Sequence, residues 1–277
     1  IKVEYKDPVK YPNFASDYTS DTLQENSLIV VGEKRNKVIS YEDMYETQID
    51  YNTYSQQTTG YDGEGRITSA LDYVTAAEMP VVYRITGHDE QELDSSFRTA
   101  MEKANLTVED LNLMDQDKVP EDADAIMILA PLSDFSTDDA QKVKDYMAAG
   151  GKAIVVTTYT DQDMTNFKSI LDEYGVSVTK GILAETDNGH YYQNPFYLIP
   201  EVKSNTYTVS ENDALSITQM LVTSENAVVK DDPQNMTSYE AEDGDETGQF
   251  TLGAKVEKTA GETASTMFIF SSENLFT

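Results

Sequence analysis

The residues best equipped for chemistry are Gly87, His88, Asp89 and Glu90, which follow the β-branched run PVVYRIT and lead into a helical pattern. A strand, a glycine-bearing turn and a helix are the arrangement in which α/β proteins keep phosphate loops and catalytic turns. His88 could act as a base or ligand, and Asp89 and Glu90 as acids or ligands. A second such turn, Pro131-Leu132-Ser133-Asp134, follows the apolar run DAIMILA. His190, in DNGHYYQNPF, is the only other histidine, and Tyr191 and Tyr192 adjoin it.

The residue types narrow the reactions. A phosphate-binding loop needs several glycines so that backbone amides can approach the anion, whereas Gly87 is followed by Asp89, Glu90 and Glu92. Carboxylates at the positive end of a helix dipole repel phosphate. A nucleophile elbow needs Gly-x-Ser-x-Gly, which is absent, and the lack of cysteine removes thiol nucleophiles, disulfides and thiolate metal sites. Metal binding by His88, Asp89 and Glu90 with His190 is the chemical alternative, although three adjacent turn residues cannot all point at one ion. The structural alternative has His88 packed in the turn while Asp89 and Glu90 cap the helix. Tyr191, Tyr192, Phe196 and Tyr197 around Pro195 read either as a partner platform or as a loop folded over its own sheet.

The elements that must carry these turns follow from hydrophobic periodicity. From residue 81 strand and helix patterns alternate: VVYRIT; a helix with Leu93, Phe97, Met101 and Ala104 on one face; VEDLNL; DAIMILA; a helix capped by Ser136 with Asp139 at N3 and closed by Gly150-Gly151; AIVVTT; a helix through Met164, Phe167, Ile170, Leu171 and Tyr174; and VSVTKGILAE. This alternation implies an α/β fold with a parallel, doubly wound, flavodoxin-like or Rossmann-like sheet. The link of about ten residues between the second and third strands favours the order 2-1-3-4-5, with the switch point at Gly87-His88 and Pro131-Ser133. From about residue 203 the chain becomes β-rich: SENDALSITQMLVTSENAVV reads as a helix and a strand, then an acidic loop, then FTLGAKVEK and STMFIFSS as strands extending the sheet.

Residues 1–66 read as a separate α+β segment, with the α/β domain spanning 67–277. IKVEYKDP is strand-like up to Pro8, SLIVVGEKRNKVIS is a β-hairpin, and Tyr45 to Gly65 is a polar connection. GRITSALDYVTAAEMP places Ile67, Leu71 and Val74 at helical spacing.

A chain of 277 residues carrying 50 acidic and 20 basic side chains, with a formal charge of −30, repels polyphosphate backbones and anionic lipid surfaces. Nucleic acid is therefore excluded as a partner. No apolar run is long enough to span a bilayer, and Ile1 opens on strand-like sequence without a signal peptide, as in a segment of something longer.

ITSALDYVT, VVYRITGHDE, LNLMDQDKVPEDADAIMILAP, the helix between Leu132-Ser133-Asp134 and Gly150-Gly151-Lys152, and STMFIFSSENLF together resemble the auxiliary subunit of gliding-motility-type (GldG-like) ABC transport systems. YKDP with SLIVVGEKRNKVISYEDMY resembles that family's stretch before its α/β domain, the last part of a thioredoxin-like module. The resemblance implies a non-enzymatic, cofactor-free extracytoplasmic domain, held at the membrane by transmembrane helices outside this segment and working beside an ABC permease and an ATPase. Its α/β domain is similar to one that serves assembly in intraflagellar transport proteins. The family's Gly-His pair falls on Gly87-His88, but Asp89 stands where the family has a further glycine. No Cys-x-x-Cys accompanies the thioredoxin-like part, so it implies no redox activity.

Overall fold

The computed structural model describes residues 1–7, 9–11, 13–20, 23–50, 55–178, 181–185, 207–209 and 214–271. The chain divides into two compact units, Ile1–Pro80 with Ala100–Thr107, and Val81–Thr99 with Val108–Thr277. Among the described residues no helix is long and apolar enough to cross a membrane.

In the first unit the expected hairpin forms from β1 (Leu28–Val31) and β2 (Asn36–Ile39), paired antiparallel. The stretch expected to be a connection is a second antiparallel hairpin, β3 (Tyr45–Asp50) and β4 (Ser55–Tyr61). Its residues are exposed on both faces, so the apolar alternation that marks a strand is missing from its sequence. The strand expected at the start does not form: residues 1–7 join no ladder, and Ile1, Val3 and Tyr5 are exposed. Alternation specifies a strand only where a partner supplies hydrogen bonds. Helix α1 (Gly63–Thr75) runs through residue 66, where the sequence suggests a boundary. Ile39, Met44 and Ala70 form a small core. Gly32 lets the β1–β2 turn approach α1, because a Cβ there would lie 2.4 Å from the Val74 carbonyl oxygen.

The second unit holds β5 (Val81–Thr86), α2 (Ser95–Lys103), β6 (Thr107–Asn112), β7 (Ala123–Leu129), α3 (Thr137–Ala148), β8 (Lys152–Val156) and α4 (Thr165–Asp172) in alternation. Strands β9 (Val176–Val178), β10 (Ile182–Ala184), β11 (Tyr207–Val209), β12 (Leu215–Val222), β13 (Ala227–Lys230), β14 (Glu246–Gly248), β15 (Thr251–Ala260) and β16 (Thr263–Phe270) follow. Two of these ranges, α2 and β6, extend into the first unit's residues. Eight strands of the main sheet run β6-β5-β7-β8-β16-β15-β11-β9, with β12 paired to β15 as a ninth. The pairings of β5 with β7, β7 with β8 and β8 with β16 are parallel. β10, β13 and β14 make a smaller sheet.

Three expectations are corrected here. The place beside β8, expected for VSVTKGILAE, belongs to β16; that segment instead supplies β9 and β10, in different sheets. β16 has eight residues with which to pair β8 on one side and β15 on the other, whereas β9 has three. The helix expected within 210–229 is absent from the described residues there, where β12 and most of β13 stand. The helix after β5 starts at Ser95 and not directly after Glu90.

The core lies between the sheet and helices α3 and α4: Ile85, Ile126, Ile128, Val155, Met267 and Ile269 meet Val143, Met147, Phe167 and Leu171. Val82, Met127 and Leu129, alternating with these on the strands, are buried as well. This burial on both faces explains the unbroken apolar run in β7.

Candidate functional site

At the carboxyl end of β5 the chain turns through Gly87 at φ 116° and Asp89 at φ 57°. His88 lies between them and is 4% exposed. Its ring stacks on Phe135, with centroids 3.8 Å apart and planes 6° from parallel. Nδ1 is 2.9 Å from Glu90 Oε1, and the His88 backbone N–H donates to Glu90 Oε2 at 2.8 Å. Nε2 faces Asp139 Oδ2 at 3.5 Å, an ion-pair separation too long for a well-formed hydrogen bond. The Glu90 and Asp139 side chains are each 2% exposed.

Asp139 has a second role. Ser136 caps α3, accepting from the Asp139 N–H at 3.0 Å and donating its hydroxyl to Asp139 Oδ2 at 2.8 Å. Lys142 Nζ approaches the other oxygen at 3.2 Å and donates to the Leu113 carbonyl at 2.9 Å. The Ser136 half of the expected variant capping box thus forms, while the Asp139 carboxylate takes the Ser136 hydroxyl and also meets the switch-point histidine. Burial alone would lower the His88 pKa, but Glu90 and Asp139 outweigh it and the net shift is upward. Burial opposes ionisation of Asp139 as well, yet Ser136, Lys142 and His88 together bring its pKa below the ordinary value. Both shifts favour an imidazolium held between two carboxylates.

The crevice expected at this switch point is bridged by its own turns. The His88 carbonyl accepts from the N–H groups of Leu132 and Ser133 at 3.1 and 3.0 Å, and Gln91 N–H donates to the Leu129 carbonyl at 2.8 Å. Ser133 donates its hydroxyl to Asp89. Ala130, at φ 49°, begins the second turn, and Pro131 is buried there. Asp134 is used to cap α4, accepting from the N–H groups of Asn166 and Phe167 at 3.0 and 2.9 Å. Glu90 does not cap α2 as expected; it closes back on His88. Asp94 sits before that helix and accepts from Ser96 N–H at 2.7 Å.

The structure therefore brings together Gly87, His88, Asp89, Glu90, Pro131, Ser133 and Asp134 in two joined turns. His190, Tyr191 and Tyr192 lie outside the described residues. No three carboxylate or imidazole side chains among the described residues are grouped to hold a metal ion.

A concave feature lies one strand over, at the carboxyl ends of β7 and β8. A cleft of about 410 Å³ is lined by Thr157, Thr158, Tyr159, Asp161, Phe167 and Lys168, among others. Tyr159 donates its hydroxyl to Asp161, which pushes the phenol pKa up to about 12. Asp161 also accepts from Gln234 at 2.6 Å. The α4 amides beneath this cleft are already capped by Asp134, so they offer little to an anion.

Sequence reasoning missed Phe135 and the Asp139 contact with His88, both of which depend on folding. It also missed Arg84, buried in β5 and bidentate to Asp110 at 2.8 and 2.9 Å. A lone arginine inside VVYRIT was the available signal, since a buried cation requires a partner.

No protein-family model matches the chain, and no curated protein matches it. Among solved structures it is similar to the mmIFT52 N-terminal domain, at 12% identity and TM-score 0.40 over 70% of this chain and 87% of that one. It is similar to a ThuA-like protein from Bacteroides uniformis, at 11% identity and TM-score 0.37 over 72% and 84%. PurLQS from Thermotoga maritima matches at 12% identity and TM-score 0.25 over 50% and 72%. At such low identity and TM-score, nothing about this chain's activity follows from them.

Proposed function

We propose that the protein is a non-enzymatic binding or assembly module, the extracytoplasmic auxiliary domain of a GldG-like ABC transport system, working beside a permease and an ATPase. The observation that carries the non-catalytic part is the engagement of His88. Its ring is covered by Phe135 and held between Glu90 and Asp139, and the two turns around it bond to each other. A general base must reach a substrate proton, and a ring that is 4% exposed, stacked on Phe135 and paired through Nδ1 with Glu90 has no such access. The transport part rests on the sequence resemblance in ITSALDYVT, VVYRITGHDE and STMFIFSSENLF.

In this reading the sheet is a flavodoxin-like sheet whose fifth place has passed to the C-terminal strand, and residues 1–66 are the remnant of a thioredoxin-like module. The full-length reading frame and co-purification test the proposal. The expected result is an apolar span of ~20 residues outside this segment and recovery of permease and ATPase with the tagged protein. A full-length protein without such a span, or one recovered without either subunit, overturns it.

A further inference from the structure

We draw no further inference here: the strongest candidate, the surface patch of packed aromatic rings that Tyr41, Tyr45 and Tyr61 form at the base of the β3–β4 hairpin, is a partly exposed face with nothing in the structure to show what covers it.

Discussion

The His88 imidazole lies face to face with Phe135, 3.8 Å between centroids, while Glu90 meets its Nδ1 at 2.9 Å and Asp139 faces its Nε2 at 3.5 Å. A ring so enclosed joins the turn after β5 to the N-terminus of α3. Its substitution therefore reads out as stability.

His88→Ala leaves the nearly buried Glu90 side chain without its ring partner, while Asp139 keeps Ser136 and Lys142. The expected loss is about 3–5 kcal/mol, the usual cost of breaking a buried pair from one side. Urea denaturation measures it, and a loss within experimental error would mean that the Glu90 carboxylate reaches water in the folded chain.

The pH dependence follows from two opposite shifts. His88 has a raised pKa, so its contribution is complete below about pH 6.5 and is lost as pH rises through the folded-state value. Asp139 has a lowered pKa, so its contribution is complete above about pH 4 and is lost as pH falls through its folded-state value. The cluster is most stabilising between those limits. The stability difference between the parent and His88→Gln should shrink as pH rises above about 6.5 through the folded-state value; a difference independent of pH would show that folding does not raise the His88 pKa.

Gly87→Ala tests the turn itself. The backbone is at φ 116°, and a Cβ there would lie 3.1 Å from Asn112 Oδ1 and 3.2 Å from Met114 Cε. Destabilisation of about 1–3 kcal/mol is expected from strain in this region. Calorimetry decides it, and an unchanged Tm would mean that the turn relaxes.

Lys230 organises the acidic loop that follows β13. Its ammonium, on a side chain 4% exposed, meets the Glu240 carbonyl at 2.7 Å, Glu242 at 3.0 Å and Asp245 at 2.6 Å. Lys230→Ala removes the cation those groups surround, so residues 231–245 should become the first site of limited proteolysis while the main sheet survives. Cleavage elsewhere first would assign the loop's order to other contacts.

The sequence by itself determined the alternation of strands and helices from β5 to α4, the β1–β2 hairpin, and the Ser136 cap of α3. Each is a local matter, set by hydrophobic period and by side chains that bond within a few residues of themselves. It also marked the turns at Gly87-His88 and Pro131-Ser133 as neighbours, because the short link into β7 favours a place beside β5, where β7 pairs. Hairpin β3–β4 escaped it, since a strand wet on both faces carries no alternation. Only the tertiary structure decided that β16 would lie beside β8, that Phe135 would cover His88, and that the Asp139 carboxylate would meet its ring. Those outcomes depend on which distant segments pack together, and a histidine in a turn reads the same in sequence whether it faces solvent or lies sealed between two carboxylates.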